Sequence, residues 1–150
     1  MSLSRNFIAG LGGAIALNIL HESLKHQDPK MPRIDQLGEE AVQKGIEVAG
    51  GKRIKNERKL YRTTLAADLI SNAVYYSAIG AGGPKHIWSR AFALGIAGGT
   101  GAVFGLTFLG LNPAPVTKSE TTKKLTVGYY LFGALVTAAI LAAADKPNKP

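Results

Sequence analysis

The chain has 150 residues, a net charge of +8, and charged residues making up only 19% of the total. It has no cysteine, which excludes a disulfide framework, a thiolate metal site and a lipoprotein anchor. As a soluble protein it would form one domain. However, its charges crowd into residues 22–62, residues 118–124 and the two ends, leaving long uncharged runs between them.

The first run, Asn6–Leu20, has 15 uncharged residues. That is short for a membrane span, whose lower limit is about 17 residues. Arg5 at one end and His21, Glu22 and Lys25 at the other extend it, and the predicted span covers about residues 6–24. Arg5 followed by Phe7–Leu20 also looks like a signal peptide. No small-x-small cleavage site follows at His21-Glu22-Ser23, so an uncleaved helix is expected. Asp28-Pro29 and Met31-Pro32 end it, because a residue before proline is pushed out of the helical region.

In the connection over residues 25–62, Ile34, Leu37, Ala41, Val42, Gly45, Ile46 and Ala49 recur at helical spacing. Glu39, Glu40, Gln43, Lys44 and Glu47 fill the other side. This pattern predicts an amphipathic helix closed by Gly50-Gly51, either lying on a membrane surface or packed on the end of the other helices. Next comes KRIKNERKLYR, with six cations (Lys52, Arg53, Lys55, Arg58, Lys59 and Arg62) and one anion in 11 residues. It reads as a positive flank to the next span, or as a contact for anionic lipid.

Span two is predicted over 65–83, with Asp68 near its start. A tight turn at Gly80–Pro84 leads to span three, 87–111. From Ala91 this span runs 21 residues without a charge, about 30 Å of helix and the thickness of a bilayer's hydrocarbon core. Trp88 and Arg90 at its start read as a belt aromatic and a snorkelling cation. Asn112-Pro113-Ala114-Pro115 stops it. Span four, 125–144, has 20 uncharged residues, with Tyr129-Tyr130 as another belt. The connections 25–62 and 112–124 carry 13 Lys/Arg, against five elsewhere: Arg5, Lys85, Arg90, Lys146 and Lys149. This bias predicts that both connections are cytoplasmic.

Arg5-x-Phe7-x-x-Gly10-x-x-Gly13 matches Arg90-x-Phe92-x-x-Gly95-x-x-Gly98 at an offset of 85. Two-proline segments follow each matched span, and Tyr75-Tyr76 and Tyr129-Tyr130 lie on spans two and four. The pattern points to a duplicated helical hairpin. Gly12, Gly13, Gly95, Gly98, Gly99 and Gly101 give spans one and three flat faces for close packing. Those spans are expected to cross each other or to form a dimer seam.

Familiar chemical motifs fail. His21-Glu22-x-x-x-His26 puts the two imidazoles about 140° apart on a helix, not on the one face that a zinc protease needs. No nucleophile elbow or phosphate loop is present, and the expectation is a protein that is not an enzyme, with no cofactor, no metal and no nucleic-acid partner. One polar constellation survives. Asn18 and Glu22 share a face of span one, and Asp68 and Asn72 share a face of span two. In an antiparallel pair Glu22 would meet Asp68 and Asn18 would meet Asn72, forming a candidate cation or proton site. The alternative is interhelical hydrogen bonding or an interfacial position.

The stretch Asn18-x-x-His21-Glu22, then Asp28-x-x-x-Pro32-Arg33-x-Asp35-x-x-Gly38-Glu39-Glu40-Ala41, resembles small uncharacterised bacterial membrane proteins of four helices. The Gly-rich spans followed by proline-bearing loops look like YagU-type inner-membrane proteins. The resemblance implies location only. The combined expectation is an all-α integral membrane four-helix bundle of the bacterial inner membrane, with one amphipathic cytoplasmic helix. Its expected partners are lipids and a second copy or another membrane protein. Its role would be structural or interactive; alternatively, it would be an oligomeric transporter or channel subunit. A soluble bundle with buried helices is the other fold considered.

Overall fold

A computed structural model describes residues 1–145; Lys146 and Lys149, counted above, lie outside the described residues. The described residues form helices and connections with no strand. The long helices are α1 (Leu3–Leu24), α2 (Ile34–Val48), α3 (Glu57–Ala81), α4 (Ile87–Phe104) and α6 (Glu120–Ala144). A 3-10 turn at Leu106–Leu109 and the short α5 (Ala114–Thr117) complete the order.

Local chemistry sets the helix starts. The side chains of Ser2, Asn56 and Ser119 accept hydrogen bonds from the backbone N–H of Arg5, Lys59 and Thr122, filling donors that the first turn leaves open. Helices α3 and α6 therefore begin earlier than 65 and 125, and their first turns are polar. The helix expected over 87–111 is interrupted. It ends at Phe104, where Gly105 follows the glycine-rich 98–101 stretch, and Gly110 takes a left-handed backbone (φ 67°) to close the 3-10 turn.

Helix α1 packs along both α3 and α6, and α4 packs along α6. The expected crossing of the two glycine-rich helices is not formed: α1 and α4 turn their glycines toward α3 and α6 instead. A Cβ on Gly10 would strike the backbone of Ala73 and Ser77, and one on Gly13 the carbonyl of Gly133 and the side chain of Thr137. A Cβ on Gly95 would lie 2.8 Å from the Cα of Leu131, and one on Gly99 2.5 Å from the Cα of Val127. Gly98 faces the rings of Tyr75 and Tyr130, Gly12 faces the side chain of Ile140, and Gly101 faces open space. Six of these seven glycines thus sit where a side chain would meet a neighbouring helix, and Gly10, Gly13, Gly95 and Gly99 do so in close backbone contact.

The ends are tied crosswise. Arg5 on α1 donates to the carbonyl of Leu141 and pairs with Asp145 at 3.3 Å, at the end of α6. Arg90 on α4 donates to the carbonyls of Ile79, Gly83 and Lys85, at the end of α3. It caps carbonyls rather than snorkelling. Tyr129, expected in an aromatic belt, is buried, with its hydroxyl 3.6 Å from the Met31 sulfur.

At the opposite end α2 lies over the start of α3. Arg33 N–H donates to the Pro115 carbonyl (3.0 Å), and the Glu40 carboxylate accepts from Asn112 N–H (3.1 Å). Lys44 donates to the carbonyls of Leu109 (2.6 Å) and Gly110 (3.0 Å). Gln43, expected on the polar face, is buried. It exchanges two hydrogen bonds with the Ile54 backbone and holds the following connection against α2.

Candidate functional site

The polar residues collect where α1, α2 and the first half of α3 meet. Their arrangement differs from the predicted one. Asp68 does not pair with Glu22. Its carboxylate accepts from the Asn18 amide at 2.7 Å and from the Asn72 amide, one turn along α3, at 2.9 Å. Asn18 thus meets Asp68 rather than Asn72, because it sits one turn before Glu22 on the same face. Glu22 turns toward the connection and pairs with Lys25 at 2.9 Å. The four expected residues lie at one junction, but its two carboxylates serve different neighbours.

Asp35 joins the junction from the first turn of α2, a position where the helix dipole favours an anion. Arg33 binds it through two parallel hydrogen bonds, 2.9 and 2.8 Å, the fork geometry that makes arginine–carboxylate pairs strong. Lys25 approaches Asp35 at 3.4 Å. Burial pushes the Asp35 carboxyl up, but the neighbouring His21 and Arg33 outweigh that and hold it well below the usual carboxylate range. Burial likewise works against the Lys25 ammonium, and Glu22 and Asp35 reverse the effect, so its value rises. The apolar-in, polar-out pattern of α2 did not mark Asp35, although Arg33-x-Asp35 directly after Pro32 was the available signal.

His21 is the most buried member, at 3% exposure. Its Nδ1 lies 3.6 Å from Glu22 and its Nε2 3.5 Å from Asp35. These are ion-pair distances without hydrogen-bond alignment, and Nε2 has no hydrogen-bond partner. It borders a cavity of about 20 Å³ together with Asn18, Glu22, Asp35, Tyr61 and Asp68. That volume holds about one water molecule.

Thr64 and Gly38 separate this cavity from a larger cleft. A Cβ on Gly38 would stand 2.8 Å from the Thr64 methyl, so α2 and α3 touch there. Beyond the contact, a cleft of about 400 Å³ opens between α2, α3, the 3-10 turn and α6. Asp68 borders both spaces. No group of three or more His, Cys, Asp or Glu among the described residues is placed to hold a metal ion.

The cationic run lies apart from this junction. Lys52, Arg53, Lys55, Arg58, Lys59 and Arg62 are all exposed, along the connection and the first turns of α3. Arg53 pairs with Glu47 at 3.0 Å. Comparison with family models, with curated proteins and with solved structures finds no match to this chain.

Proposed function

We propose that this chain is an integral protein of the bacterial inner membrane with a structural or interaction role, and that α1, α3, α4 and α6 cross the bilayer together. The observation that carries the reading is the row of large apolar side chains that α1 and α6 leave exposed around an interior rich in small and polar residues. Asn6, Ala9, Gly10, Gly13, Ala14, Leu17 and His21 are buried on α1, while Ile8, Ile15 and Ile19 are exposed. Thr122, Thr126, Tyr129, Gly133, Ala134, Thr137, Ala138 and Leu141 are buried on α6, while Phe132 and Ile140 are exposed. An extended apolar exterior marks contact with lipid or another protein.

Helices α1 and α6 are long and apolar enough to cross a membrane, and only 33% of each apolar window is buried. The core helix of a soluble protein would be mostly buried. The charge bias supports placing the connections 25–62 and 112–124 in the cytoplasm, where the exposed cations of 52–62 would contact anionic lipid. The crosswise contacts of Arg5 and Arg90 support a duplicated hairpin, because each arginine plays the same part on the other half. The second reading, a transporter or channel subunit, draws on Asp68 alone, since Lys25 occupies Glu22.

Because the chain has no cysteine, single-cysteine variants report topology without background. In spheroplasts, a membrane-impermeant maleimide should label Lys85→Cys at once and Lys52→Cys only after lysis. The chain should also remain in carbonate-washed membranes. Release by carbonate would overturn the membrane reading, and labelling of Lys52→Cys in intact spheroplasts would overturn the orientation.

A further inference from the structure

We infer that the cleft between α2, α3 and the 3-10 turn is a binding site for a small organic cation, a primary ammonium on a short hydrocarbon body, with Asp68 as its counter-ion. The inference rests on the cleft itself and not on whether the helices cross a bilayer.

Three observations define the ligand. The first is charge. Asp68 receives two neutral amide donors, and among the described residues no Lys, Arg or His stands within ion-pair distance of it. Lys25 and Arg33 are engaged with Asp35 and Lys44 with backbone carbonyls, while His21, which borders the small cavity with Asp68, lies against Glu22 and Asp35. A carboxylate at the wall of a cleft, solvated by amides alone, retains acceptor capacity for a cationic donor.

The second is a further unpartnered polar atom. The Thr64 side chain, 6% exposed, borders the same cleft one turn from Asp68, and its hydroxyl oxygen is buried with no hydrogen-bond partner. An ammonium presents three donors; Asp68 accepts at the cleft wall, and a rotation of the Thr64 side chain would supply a second acceptor.

The third is the shape and lining of the remainder. The apolar face of α2 continues past the buried Ile34 and Leu37 to the exposed Ala41 and the half-buried Val42, which border the cleft. Leu106 and Leu111 face them. Ligand sites have this composition, mostly apolar with a few placed polar groups, and volumes of about 300–1,000 Å³. A bare divalent ion is disfavoured, since it requires six or more oxygen ligands and this lining is largely hydrocarbon.

The test is calorimetric titration of the detergent-solubilised full chain with hexylammonium, with hexan-1-ol as the neutral counterpart. Hexylammonium should bind saturably and at least about tenfold more tightly than hexan-1-ol. Asp68→Asn keeps an acceptor for Asn18 and should remove that preference without changing alcohol binding. Ala41→Phe fills the cleft from the opposite wall and should weaken both ligands. If Asp68→Asn does not fold, as read by its thermal melt, the alcohol comparison and Ala41→Phe still decide. Equal affinity for amine and alcohol, or no saturable amine binding, would overturn the inference. Repeating the titration in nanodiscs of phosphatidylglycerol, with and without phosphatidylethanolamine, assigns the source. Competition by the second lipid names a lipid headgroup, and its absence names a free amine; either result retains the site. Release of the chain by carbonate would leave this titration unaffected, so the two proposals fail separately.

Discussion

Helices α1 and α2 are joined by nine residues, yet they bury opposite chemistries. Helix α2 hides Ile34 and Leu37, together with the hydrogen-bonded Gln43, and shows mostly charged residues to its surroundings, as a helix shaped by water does. Helix α1 hides mostly glycine, alanine, asparagine and histidine, with Leu17 its one large buried apolar side chain, and shows isoleucine. In α2 the stabilising contact is apolar area removed from water. In α1 it is close backbone approach, made possible by the absence of side chains. The difference teaches that one chain carries two packing rules, and that the junction between them, at His21, Asp35 and Asp68, is where polar groups are most concentrated.

The largest effect should come from breaking the α1 rule. Gly13→Leu places a side chain against the Gly133 carbonyl and Thr137, where neither backbone can yield. The expected cost is about 3 kcal/mol or more, seen as lost thermal unfolding cooperativity in detergent. Gly101→Leu on α4, where a Cβ meets open space, should leave the melt nearly unchanged and so shows that position, not glycine content, decides.

The next effect concerns the junction. Asp35→Asn leaves Arg33 and Lys25 without their shared carboxylate, at a cost of about 3 kcal/mol for a largely buried pair. The folded value of Asp35 lies below its ordinary 3.8. Its stabilisation is therefore complete above about that pH and is lost as the pH falls through the depressed folded value. Melts from pH 7 downward should show an acid-side loss in the wild type that is reduced in Asp35→Asn. An identical acid-side loss in both would place the pH dependence in other groups.

The smallest effect should lie on the outer face of α2. Glu47→Ala removes the exposed pair with Arg53 and should change stability by less than about 1 kcal/mol, because solvent and salt screen such pairs. A larger loss would mean that the α2 surface is covered in the assembled protein.

Much of this organisation was legible in the sequence. Helix positions followed from uncharged runs and from prolines, and the glycines at 13, 95 and 99 were marked for close packing. The partners of those glycines were not legible, since spacing along one helix states which face is flat and not which helix meets it. The end of α4 at Phe104 was missed because a hydropathy run counts apolar residues and ignores the weak helix preference of Gly105 and Gly110. At the junction, the i and i+4 spacing of Asn18 with Glu22 and of Asp68 with Asn72 placed the residues on shared faces. It could not set the register between α1 and α3, which assigns Asn18 rather than Glu22 to Asp68.

What the sequence by itself determined is the all-helical character, the helix order and the unequal placement of charge. These depend on local preference and on runs of neighbouring residues, which the chain carries in linear form. The tertiary structure decided the pairings: α1 against α3 and α6, Asp35 brought to His21 and Arg33, and Asp68 left with amides at the wall of an apolar cleft. Those depend on helix rotation and axial offset. Both are fixed only when backbones close on one another at the glycines, a condition that no single segment contains.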